Sequence, residues 1–132
     1  MIWYVAFGSA VGGATRYWLA AYIQRTSGAT FPLGTLVINI TGSFILGLLL
    51  RFALDTPAFS PALRLALTTG FCGGYTTFST FSVETVTLIE EGDWRRAALY
   101  VGVSVLVSLF GAFAGIALAR ELVALRSSVS SA

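Results

Sequence analysis

Residues 70–82 read Gly70-Phe71-Cys72-Gly73-Gly74-Tyr75-Thr76-Thr77-Phe78-Ser79-Thr80-Phe81-Ser82 and sit inside a charge-free run from Leu65 to Val83. The run is long and apolar enough for a membrane helix, yet three glycines fall within five residues near its middle, so a break is expected there. Non-helical backbone at membrane depth is tolerated only where protein buries it or a cavity wets it. A break also frees carbonyl oxygens, which ligate hard cations such as Na⁺. After the glycines, Phe78 and Phe81 stand three apart on one helical face, flanked by Ser79, Thr80 and Ser82. Aromatic ring edges are electropositive, so edge-on phenylalanines beside hydroxyl donors suit an anion. The same spacing also suits ordinary packing.

The surrounding chain fits a membrane. Of its 132 residues, 56% are hydrophobic and 11% charged, and the mean hydropathy is +0.82. A soluble domain of this size has too little interior to hide so much apolar side chain; lipid removes the difficulty. A hydrocarbon core about 30 Å thick takes roughly 20 helical residues, and four stretches qualify, at about 2–24, 31–51, 62–89 and 96–120. Short Gly-, Pro- and acid-marked connections join them, as antiparallel neighbours in a bundle require. The expectation is one all-α domain over 1–132, with four transmembrane helices, the third broken near its middle, and a frayed tail at 126–132. No basic leader precedes the first apolar run, and Arg16 interrupts that run, so a cleaved signal peptide is not expected.

Composition also removes several functions. There is no histidine and no lysine, and Cys72 is the only cysteine. An internal disulfide, a thiolate metal cluster and the commonest general base are all absent. A net charge of +2 is too small and scattered for nucleic-acid binding. Four spans put both termini on one side of the bilayer. Arg51, Arg64, Arg120 and Arg126 then share that side, against Arg25, Arg95 and Arg96 on the other. Four against three is no positive-inside bias. Either other signals set one orientation, or the chain inserts both ways and pairs as an antiparallel homodimer; four thin helices enclose little by themselves, which favours the second.

Polar residues run in stripes. Thr35, Asn39 and Ser43 are spaced i, i+4, i+8 in the second span, and Tyr100, Ser104 and Ser108 repeat that spacing in the fourth. Such spacing stacks side chains on one face. An amide at the depth of Asn39 needs a partner, either a neighbouring helix or a passing anion. Gly8 and Gly12 form a GxxxG pair suited to close helix packing. Arg16, deep in the first span, either snorkels or attracts anions to an aqueous vestibule.

Gly12-Gly13-Ala14 with Arg16-Tyr17, Gly34-Thr35-Leu36 with Asn39, Gly42-Ser43-Phe44, and the run 70–82 with Glu84 together resemble the Fluc (CrcB) family of small bacterial fluoride channels. The resemblance covers nearly everything from the first span to the fourth. It implies an antiparallel, dual-topology homodimer in the bacterial inner membrane, with two fluoride pathways and one central structural Na⁺ that is not transported. By motif position the backbone carbonyls of Gly73 and Thr76 from both subunits would hold that ion. Phe78 and Phe81 would line the fluoride path with Asn39, Ser79 and Thr80, while Tyr100, Ser104 and Ser108 would form its polar track. Glu84 would lie near one end of the path, and Arg16 at a vestibule. The implied role is passive fluoride efflux that protects the cytoplasm.

Three other readings compete. A proton-coupled exporter of small cations needs a titratable carboxylate in a central pocket; the first span has none, and Glu84 follows the break. An intramembrane hydrolase needs a base for its serine, and neither histidine nor lysine is present. A purely structural assembly factor is the last alternative.

Overall fold

A computed structural model describes residues 1–57 and 59–130. Its elements are α1 (Ile2–Ser27), α2 (Leu33–Asp55), α3 (Pro61–Leu65), a π-helical segment (Ala66–Cys72), α4 (Gly73–Tyr75), α5 (Phe78–Glu90) and α6 (Trp94–Ser130). The all-α expectation holds, and no strand occurs among the described residues. By length and composition α2 and α6 can each cross a membrane, yet only 33% and 17% of their most apolar windows are buried within the chain. Trp3, Phe7, Trp18, Phe110 and Phe113 are likewise exposed. An apolar surface on this scale belongs against lipid or another protein rather than water. Two such helices and this exposed surface suit a protein of the membrane.

Two packing contacts organise the helices. The longest lies between α2 and α6. The other presses α1 onto the π-helical segment and α4, and glycine makes it possible. A methyl group added at Gly8 would overlap the Ala66 carbonyl oxygen, and one at Gly12 the Phe71 carbonyl oxygen. The GxxxG pair therefore brings backbone against backbone within a single chain.

The interruption of the third helical stretch is displaced from where the glycines suggest. Gly70 lies within the π-helical segment, and Gly73 is helical with φ −64° and ψ −37°. Helical dihedrals end instead at Thr76 (φ −83°, ψ 158°) and Thr77 (φ −152°, ψ 111°). Gly70 and Gly74 serve close approach to α1, while two β-branched threonines take the extended conformations they favour. The Thr77 Oγ1 accepts the Thr80 N–H at 3.2 Å and caps the start of α5.

α6 continues through Arg126 as helix to Ser130, with no Gly or Pro among residues 121–130 to stop it. Residues 131–132 lie outside the described residues.

These glycine contacts give a paired test. Gly12→Val should destabilise the protein by about 1–3 kcal/mol, the usual cost of overpacking. A methyl group at Gly102 meets nothing within 4 Å. Gly102→Ala should therefore be neutral or mildly stabilising through helix propensity. Thermal unfolding in detergent measures both.

Candidate functional site

The i, i+4 stripe of α2 faces α5 and α6, and each polar member finds a different partner. Thr35 is buried and donates its hydroxyl to Glu84 Oε1 at 2.8 Å. Tyr100, fully buried on α6, donates to Glu84 Oε2 at 2.6 Å. Both carboxylate oxygens are thus held by hydroxyl donors from two other helices, which fixes the side chain without a counter-cation. Ser43 turns back to its own helix and donates to the Asn39 carbonyl at 2.7 Å.

Asn39 is committed at both ends. Its Nδ2 donates to the Thr77 carbonyl at 3.0 Å, and its Oδ1 accepts the Thr77 N–H at 2.8 Å. The carboxamide therefore pairs with an extended residue as a neighbouring strand would. The second N–H of the amide remains for another acceptor. Thr77 Oγ1 also lies 3.0 Å from Thr80 Oγ1 and 3.2 Å from Ser79 Oγ. One buried threonine thus gathers the amide of α2 and the hydroxyls at the head of α5.

Two cavities flank this knot. The first, about 570 Å³, is lined by Arg16, Gln24, Thr35, Thr80 and Glu84 among others. The second, about 370 Å³, is lined by Asn39, Ser43, Phe78, Phe81, Ser104 and Ser108 among others. Thr77 belongs to both walls. Around the second cavity the rings form a chain: Phe78 to Phe81 at 5.5 Å, Phe81 to Tyr100 at 5.2 Å, and Tyr100 edge-on to Phe31 at 5.5 Å between centroids. The Ser104 hydroxyl is buried in this wall with no hydrogen-bond partner among the described residues. A buried, unsatisfied hydroxyl is costly and marks a place where water or a ligand is wanted.

The sequence-predicted residues therefore divide. Asn39, Phe78, Phe81, Ser104 and Ser108 meet at the second cavity, with Thr76. Arg16, Thr80 and Glu84 meet at the first. Ser79 lines neither and is exposed beside Thr77, and Tyr100 lies behind the walls as a fully buried strut. Gly73 is exposed on the single chain, with open space around it.

Sequence reasoning passed over Thr77, the residue common to both cavities, because the second of two adjacent threonines in a run rich in hydroxyls carries no distinguishing mark. It also passed over Gln24. That side chain donates to the Ala29 and Phe31 carbonyls at 2.6 and 3.1 Å and accepts the Gly34 N–H at 3.1 Å, tying α1 to the start of α2. A lone amide at the end of an apolar span was the available signal.

Residues 3–116 match the family model described as CrcB-like protein, Camphor Resistance (CrcB). The chain is 48% identical over 118 residues to a fluoride-specific ion channel FluC of Geobacter sulfurreducens, covering 89% of this chain and 95% of that one. Proteins of the same name from Citrifermentans bemidjiense and Sorangium cellulosum are 44% and 40% identical over 119 and 121 residues. Those alignments cover 90% and 92% of this chain, and 96% and 95% of the relatives. The relatives are named as ion channels rather than enzymes. Matched over most of its length and of theirs, the chain belongs to the CrcB-like family.

Proposed function

We propose that the protein is a fluoride channel that lets F⁻ leave the bacterial cytoplasm passively across the inner membrane, as a multi-pass protein with four spans. The third span comprises the two halves on either side of Thr76 and Thr77. The observation that carries this reading is the second cavity: an unpartnered buried Ser104 hydroxyl, Ser108, the spare N–H of Asn39 and the Phe78 and Phe81 rings share one small chamber. Fluoride is small and strongly hydrated, so it enters a protein only where O–H, N–H and ring-edge groups replace its water. The names of the relatives supply the choice of fluoride among anions. Arg16, in the wall of the first cavity, would draw anions toward it. Glu84, with both oxygens engaged by hydroxyls, would help shape the path without exchanging protons for transport.

The working unit in this reading is an antiparallel homodimer of chains inserted in both orientations. Phe78 is 79% exposed and Gly73 faces open space on the single chain, which a second copy would cover. The near-even distribution of arginines supports dual orientation. The carbonyls of Gly73 and Thr76 from both chains would hold a structural Na⁺ at the interface. Backbone carbonyls are the oxygen ligands a hard monovalent cation takes. The fit rests on the extended Thr76 backbone and on the uncrowded Gly73. The cation would tie the two chains together rather than cross the membrane.

Purified protein in liposomes should dissipate a fluoride gradient at least tenfold faster than a chloride gradient; equal rates would refute the selectivity. Phe78→Ile and Phe81→Ile should each cut fluoride flux strongly with the dimer intact, and Ser104→Ala should cut it less. Unchanged flux in both phenylalanine variants would remove the rings from the path. Replacing Na⁺ with a large organic cation should lower the thermal unfolding temperature and loosen the dimer.

A further inference from the structure

In a continuous helix each N–H returns to the carbonyl four residues earlier. Across the interruption, two side chains intercept those donors. The Thr77 N–H, which would return to Gly73, goes to Asn39 Oδ1 at 2.8 Å. The Thr80 N–H, which would return to Thr76, goes to Thr77 Oγ1 at 3.2 Å. The carbonyls of Gly73 to Thr76 are all released from helical bonding, and those of Gly73 and Thr76 are the two whose donors these side chains capture. Asn39 also holds the Thr77 carbonyl at 3.0 Å, turning it toward α2.

We propose that Asn39 is a positioning residue that holds the third helical stretch open from α2, freeing the Gly73 carbonyl and setting where Phe78 begins α5. The glycines permit close packing there, but they are themselves helical. Nothing in their own conformation forces the chain to leave the helix two residues later. The Asn39 Oδ1 reaching across from α2 supplies that force, because it takes the Thr77 N–H that would otherwise return to Gly73. One residue thereby links the anion chamber, whose wall it forms, to the carbonyls behind it. Their use by a cation rests on the function proposed above; the opening of the helix by Asn39 does not.

The test uses the full chain with spin labels at Leu63→Cys and Glu90→Cys, diluted with unlabelled protein so that one chain is measured at a time. Cys72 is buried and stays unlabelled. In Asn39→Leu, the Thr77 N–H loses its acceptor and returns to Gly73. The distance should shift toward that of an unbroken helix, roughly 40 Å at about 1.5 Å per residue. The Na⁺-dependent rise in unfolding temperature should vanish with it.

Asn39→Asp keeps the acceptor oxygen. It should retain the wild-type distance and Na⁺ response while losing fluoride flux at least tenfold, because a carboxylate in the chamber repels the anion. A wild-type distance in Asn39→Leu would overturn the proposal, as would an Asp variant that lengthens like the Leu variant. Should Asn39→Leu fail to fold, Asn39→Ala, which also lacks the acceptor, carries the same expectation and the same refutation. A wild-type protein with no Na⁺ response would count against the cation reading alone, since the distances still report on Asn39.

Discussion

Hydrocarbon offers backbone groups no hydrogen-bond partner, so a chain that leaves the helix inside a membrane must carry its replacements with it. In the third of the proposed spans two residues leave it, Thr76 and Thr77, and much of the surrounding architecture can be understood as their support. Asn39 satisfies both backbone groups of Thr77. The Thr77 hydroxyl satisfies the first turn of α5. Thr76 turns its own hydroxyl back to the Cys72 carbonyl at 3.0 Å. An orphaned amide in such a place would cost several kcal/mol, which is why the polar side chains sit at the interruption.

Packing makes those contacts possible. Gly8 and Gly12 let α1 approach the π-helical segment until carbonyls fill the space a side chain would occupy. Gly42 makes room on α2 for the side chains of Thr76 and Tyr75. Tyr75 in turn shares a hydrogen bond of 3.0 Å with Thr41. The result is a rigid frame in which α2, α5 and α6 converge on Glu84, with its two hydroxyl donors leaving that carboxylate little freedom to swing.

Much of this was legible in the sequence, and the reasons differ from residue to residue. Helical content and membrane character follow from composition. The stripes on α2 and α6 follow from a spacing of four, and Asn39, Ser43, Ser104 and Ser108 of the two meet at one cavity. The site of the interruption was less legible. Glycine clusters announce flexibility, but Gly70 and Gly74 are spent on contact with α1, and the chain turns at two threonines instead. Only a tertiary contact, the reach of Asn39 across to Thr77, distinguishes that position. Nor does spacing foretell that Tyr100 would brace Glu84 from behind rather than line a cavity, because period alone gives a face and not a depth.

Thr77 forms part of the wall of both cavities, and that arrangement bears on how voltage acts on the protein. Where water fills a cavity from either side, little potential falls across it. The membrane's electric field is then compressed into the low-dielectric partition between the two. A unit charge crossing a full bilayer gains or loses about 2.3 kcal/mol per 100 mV. If the two cavities of the proposed channel opened to opposite sides, most of that work would fall on the partition they share at Thr77 rather than on the whole thickness of the membrane.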